Sequence, residues 1–134
     1  MQARREHTRA ELMQKLAPHG STADIAAVLD LLQQAGLQSD ARFAEAFVSS
    51  RSVRFGSLKL RYDLRARGVS EALVEQALGG AESDELARAR DVWRRKFGAP
   101  PSDMRDYARQ ARFLQSRGFS ADILKSILRR TEEE

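Results

Sequence analysis

The chain has 134 residues, with 23 Lys and Arg against 19 Asp and Glu, a net charge of +4 and no cysteine. Absence of cysteine excludes disulfides, thiolate zinc sites and cysteine nucleophiles, and two separate histidines, His7 and His19, cannot build a histidine metal cluster. No run reaches the length of a membrane span and Met1 to Leu12 lacks the apolar core of a signal peptide, so the expected place is the cytoplasm, away from membranes.

With few prolines and glycines and no alternating β-branched run, the chain reads as all-α. Met1 to His7 is polar and uncapped, which predicts the tail end of a helix whose beginning is missing. Thr8 with Glu11 then forms a capping box, Leu12 and Leu16 supply an apolar side, and Pro18 and Gly20 end the helix. Ser21 or Thr22 caps the next, where Ile25, Val28, Leu29 and Leu32 keep helical spacing up to Gly36. Ser39 and Asp40 open a third helix, with Phe43 and Phe47 one turn apart beside Ala44 and Val48. After a break at Ser52 to Ser57 comes a helix with Leu60 and Leu64 on one side and Leu58 and Tyr62 nearly opposite, the pattern of a sandwiched helix. Arg65 and Arg67 precede Gly68, cations at the negative end of a helix followed by a residue free to turn left-handed.

Ser70 caps a short helix through Leu73, Val74, Ala77 and Leu78, which Gly79 and Gly80 are expected to stop. Ser83, Asp84 and Glu85 open a helix with an apolar stripe of Leu86, Ala89, Trp93 and Phe97, and the turn Gly98 to Pro101 bars its continuation. Ser102 caps a helix burying Tyr107, Ala111 and Leu114 as far as Gly118. Ser120 caps the last, with Ile123, Leu124, Ile127 and Leu128, before a frayed acidic tail at 132–134.

The stops repeat. Leu16 to Gly20, Leu64 to Gly68 and Leu114 to Gly118 share one spacing, the glycines stand 48 and 50 residues apart, and Ile25, Leu73 and Ile123 follow each at the same distance. The prediction is an elongated stack of three tandem three-helix repeats, at 1–38, 39–81 and 82–131, the first with a truncated leading helix. Each unit looks too small to bury its own faces, so stacking should complete the core.

Charge follows the same phase. Residues 51 to 67 hold six cations and one anion, 68 to 87 hold none and five, and 88 to 117 hold nine and three. Candidate anion contacts are therefore Arg51, Arg54, Lys59, Arg61, Arg65 and Arg67 in the first block, and Arg94, Arg95, Lys96, Arg105, Arg109 and Arg112 in the second. The competing explanation is a solvated face neutralised along each helix, for example by Asp91 with Arg95. The ligand readings are nucleic acid or an acidic protein groove. Trp93, Phe55 and Tyr62 could stack on bases, though aromatics at helical spacing more often sit in a core. No phosphate-cradling loop, zinc spacing or nucleophile elbow occurs, and Asp84 with Glu85 points two carboxylates to different sides of a helix start, so neither catalysis nor a cofactor is expected.

Three stretches carry a family resemblance: RREHTRAELMQKL from Arg4 to Leu16; LQSDARFAEAFV from Leu37 to Val48, with Asp40, Arg42, Phe43, Ala44 and Phe47; and Gly56 through LRARGV ending at Val69. They resemble the RecX regulatory proteins, modulators of the RecA recombinase, over nearly the whole chain. Pro18 with His19 and Ser39 depart from the family pattern. The resemblance implies a slender helical monomer that lodges in the groove of the RecA filament on single-stranded DNA, touching DNA directly or through RecA. It would lower strand exchange, ATP hydrolysis and coprotease activity. Two alternatives are a DNA-binding protein acting without RecA and a helical adaptor for an unrelated acidic protein. Asp40, Phe43, Phe47, Leu64, Gly68 and Gly118 are read as structural.

Overall fold

The computed structural model describes residues 6–132, with side chains at all of these except 82 and 130–132. Among them are eight α-helices and no strand: α1 Arg9–Leu16, α2 Thr22–Gln34, α3 Asp40–Arg51, α4 Ser57–Ala66, α5 Glu71–Ser83, α6 Glu85–Lys96, α7 Met104–Ser116 and α8 Ala121–Glu132. Glu6 to Thr8 are non-helical, and the rest of the expected leading stub and the tail beyond 132 lie outside the described residues.

The all-α repeat architecture is as the sequence predicts. In the second unit α3 and α4 both pack on α5, and in the third α6 and α7 both pack on α8. Each of these units closes its own core, contrary to the expectation that stacking must finish it. Phe43, Ala44, Phe47, Val48, Leu60, Leu64, Val74 and Leu78 form one cluster, and Ala89, Trp93, Leu114, Phe119, Leu124, Ile127 and Leu128 another. The sandwiched reading of α4 also fails, because Leu58 and Tyr62 are 53% and 69% exposed while Leu60 and Leu64 are fully buried.

Gly68 and Gly118 end α4 and α7 with φ of +87° and +90°. The bonds around them match: Val69 N–H donates to the Leu64 carbonyl at 3.1 Å, and Phe119 N–H to that of Leu114 at 3.2 Å. Gly20 is not their counterpart. Its backbone is extended, because Pro18 turns the end of α1 into a 3-10 turn at Ala17–His19. The following caps set the true register: Ser21, Ser70 and Ser120 accept from the N–H of Asp24, Leu73 and Ile123. Ile25 therefore corresponds to buried Val74 and Leu124, one position away from the residues that the glycine alignment selects.

Two other boundaries shift. α5 continues through Gly79 and Gly80 to Ser83, held by buried Leu78 and by Ala81 against the core, which outweighs the cost of glycine in a helix, about 1 kcal/mol each. A Cβ at Gly79 meets nothing within 4 Å. Gly79→Ala therefore raises stability by about 0.5–1 kcal/mol in thermal or denaturant unfolding, and a loss would contradict the helical assignment. The caps of α6 and α7 are Asp84 and Asp103 rather than Ser83 and Ser102. Asp103 accepts from Asp106 N–H at 2.8 Å.

The units are joined by polar clasps. At the first junction, Thr8 Oγ1 donates to the Arg67 carbonyl at 2.6 Å and Arg9 N–H to Asp40 Oδ1 at 2.8 Å. At the second, Gly56 N–H donates to the Arg117 carbonyl at 2.7 Å, and Ser57 gives its N–H and hydroxyl to Glu85 at 3.0 and 2.8 Å. In both, the carbonyl before a left-handed glycine receives the start of the preceding unit's helix. In both, the first helical residue of the next unit caps that helix from outside, which α4 needs because its own N-cap is Gly56. Glu85, read from sequence as an unremarkable helix-start acid, is only 9% exposed for this reason. Glu85→Ala leaves the Ser57 N–H and hydroxyl without that acceptor and costs about 1–3 kcal/mol by denaturant unfolding; an unchanged midpoint would remove the clasp.

A cationic groove at the second junction

The predicted cations fall into two classes. Half are paired with acids of the same chain. Arg61 makes two bonds of 2.9 Å to Glu75, and Arg65 reaches Glu71 at 2.7 Å, so the acidic face of α5 binds the basic face of α4. Arg67 meets Glu11 at 3.1 Å, Lys59 meets Asp63 at 3.4 Å, Arg94 meets Asp91 at 3.3 Å and Arg109 meets Asp106 at 2.6 Å. The pairing of Asp91 is with Arg94 rather than Arg95. Arg51 lies over the Phe47 ring at 4.1 Å, and Arg105 and Arg112 are exposed on α7.

These ion pairs depress the acids. Guanidinium bonds from Arg65 and Arg61 hold Glu71 and Glu75 below the usual carboxylate range, and the Ser102 N–H with Arg109 does the same for Asp106. For Glu11, burial pushes upward, but the Thr8 N–H and Arg67 outweigh it and the pKa is lowered. A depressed carboxylate contributes stability above its unfolded pKa and loses it as pH falls through its folded value. Melting temperature therefore declines as pH drops from about 5 toward 3, and Glu11→Gln reduces that slope. A flat profile in wild type would contradict the pairing.

The second class is gathered at the second junction. Arg54, Arg95, Lys96 and Arg117 surround a groove of about 490 Å³ whose other lining residues are Val53, Val92 and Phe113, with no carboxylate among them. Aromatic rings hold the like charges together. Arg117 sits 5.4 Å from the Phe55 centroid and 5.1 Å from that of Phe113, Lys96 is 5.4 Å from Phe113, and Arg54 and Lys59 are 5.6 and 5.9 Å from Phe55. Arg95 also donates to the Val53 carbonyl at 3.1 Å. Nearby Arg88 stands in α6 where α3 has Phe43. Its Nε and Nη2 are buried without a hydrogen-bond partner, and burial holds its guanidinium below the usual arginine range.

The first junction has a matching cleft of about 270 Å³, lined by Glu6, Glu11, Phe47, Ser50, Arg51 and Arg67 among others. Counted from the equivalent residues Thr8 and Gly56, Glu6 and Glu11 stand where Arg54 and Lys59 stand. Counted from Asp40 and Glu85, Ser50 and Arg51 stand where Arg95 and Lys96 stand. One junction mixes signs and neutralises itself, while the other replaces its acids with cations. Like charges at close range weaken the fold, and an anion placed there would relieve that repulsion.

The aromatic candidates separate as well. Trp93 is core, 7% exposed, with its indole N–H bonded to Gln110 at 2.7 Å, and Phe55 is half-buried beneath cations. Tyr62 alone of the three is well exposed.

Two family models match the chain, RecX second three-helix domain over residues 39–78 and RecX third three-helix domain over 82–128. The chain belongs to the RecX family of regulatory proteins. Regulatory protein RecX of Leptothrix cholodnii is 49% identical over 133 residues, covering 98% of this chain and 85% of the relative. That of Chromobacterium violaceum is 46% identical over 127 residues, covering 94% and 82%. The crystal structure of RecX from Lactobacillus salivarius superposes with a TM-score of 0.80 at 19% identity, covering 97% of this chain and 88% of that one, a likeness of fold. Within this RecX frame Arg117 was missed by sequence reasoning, although it precedes Gly118 as Arg67 precedes Gly68, the signal that could have found it.

Proposed function

We propose that this RecX-family chain binds in the groove of the RecA filament on single-stranded DNA and restrains it, lowering strand exchange, ATP hydrolysis and coprotease activity. It acts as a cytoplasmic monomer, without cofactor or catalysis of its own, and its contact modules are the repeats 1–38, 39–81 and 82–131. The observation that supports this reading, beside the family, is the carboxylate-free groove of Arg54, Arg95, Lys96 and Arg117, a surface that favours a polyanionic assembly. Arg61 and Arg65, candidates from sequence alongside the others, already bind Glu75 and Glu71 and take a secondary place.

The test is the DNA-dependent ATPase of RecA, titrated with this protein at fixed salt. ATP hydrolysis should fall with rising protein concentration. An unchanged rate, with the protein folded by circular dichroism, would overturn the reading. Binding to bare single-stranded DNA with no effect on RecA would favour a DNA-binding role instead.

A further inference from the structure

We infer that the groove at the second junction receives an acidic protein segment carrying an apolar side chain between its carboxylates, rather than a nucleic-acid backbone. The proposal deepens the reading of this groove as the partner site and rests on it only for the place of contact.

The first junction supplies the template. There the chain places its own carboxylate, Glu11, on Arg67 at 3.1 Å, above the Phe47 ring that both Arg51 and Arg67 overlie at 4.1 and 5.1 Å. At the second junction Arg117 holds the place of Arg67 and Lys96 that of Arg51, while Lys59 replaces the glutamate. A carboxylate from outside completes the arrangement that the chain completes by itself one unit earlier.

The floor decides between the two kinds of anion. Val53 is 56% exposed and offers apolar surface that a phosphate leaves unused and an aliphatic side chain covers. Bases would need open ring faces for stacking, yet Lys96 and Arg117 already lie over Phe113 at 5.4 and 5.1 Å. A cationic rim around an apolar floor thus fits carboxylates flanking a hydrophobic anchor.

Three fluorescein-labelled probes of equal net charge test this by anisotropy at fixed ionic strength: a peptide with leucine recurring among glutamates, an all-glutamate peptide, and an oligothymidylate. The leucine-bearing peptide should bind about tenfold more tightly than either of the others. Val53→Ser should bring the two peptide affinities together, and Arg54→Gln with Lys96→Gln should weaken both peptides. Because Val53 is an exposed loop residue, the variant keeps its fold, which circular dichroism checks. Equal affinity for the two peptides, tighter binding of the oligothymidylate, or a leucine preference that survives Val53→Ser would each overturn the proposal. RecA is absent from this assay, so a failure here leaves the ATPase result standing, and a failure there leaves the peptide preference standing.

Discussion

Gly118→Val destabilises the protein by about 2–5 kcal/mol, a large part of the roughly 5–15 kcal/mol that holds a domain of this size together. Two costs add. At φ +90° a side chain is strained, by about 1–2 kcal/mol, and a β-branched one fares worse. A Cβ there would also run into the backbone and Cβ of Lys59, where the second unit's α4 begins, and such overpacking adds about 1–3 kcal/mol. Two other glycines separate these terms. Gly36 has φ +75° but open space, so Gly36→Ala costs the backbone strain alone. Gly20 is extended with only an ordinary contact to Ile25, so Gly20→Ala stays within about 0.5 kcal/mol. Denaturant midpoints should rank the losses Gly118→Val, Gly36→Ala, Gly20→Ala; an equal loss at Gly20 would restore the triple glycine repeat that the structure rejects.

The pair Arg54→Glu and Lys59→Glu produces a protein at least as stable as wild type and at least about a hundredfold weaker as a RecA inhibitor. These substitutions give the second junction the acids that Glu6 and Glu11 provide at the first, including a carboxylate within the reach of Arg117 that Glu11 has of Arg67. Relief of like-charge repulsion in the groove offsets the loss of the part-buried Lys59–Asp63 pair and the i,i+4 repulsion of Asp63 by the new carboxylate, each about 0.2–0.5 kcal/mol. The same change turns two attractive contacts with an anionic partner into repulsive ones, for which several kcal/mol is usual. Stability and function therefore move apart in one variant, the signature of a surface kept for binding. A melting temperature several degrees below wild type would show that the cations belong to the fold.

The helices and their repetition were legible because periodicity and caps are local. Thr8 with Glu11, Ser39 with Phe43 and Phe47, and Gly68 with Gly118 behave as their spacing predicts. What failed depended on neighbours outside the window. Gly79 and Gly80 stay helical because Leu78 and Ala81 pack on α3 and α4, Leu58 and Tyr62 lack a covering layer, and Glu85 serves a helix of the preceding unit. The site was legible only as charge density. Counting cations picked out Arg54, Arg95 and Lys96, which line the groove, yet gave Arg61 and Arg65 equal standing, since the fold that brings Glu75 and Glu71 onto them is tertiary. Arg117 escaped because its charge becomes informative only beside Phe55 and Phe113.

The most direct test places two charge variants side by side in the RecA ATPase titration: Arg54→Glu with Lys59→Glu at the second junction, and Arg61→Gln with Arg65→Gln on α4, both checked for fold by circular dichroism. The groove variant should need at least about a hundredfold more protein for half-inhibition, and the α4 variant should stay within about threefold of wild type, because its arginines already face Glu75 and Glu71. If the α4 variant loses inhibition while the groove variant keeps it, the contact with the filament is made elsewhere and the assignment of the groove is wrong.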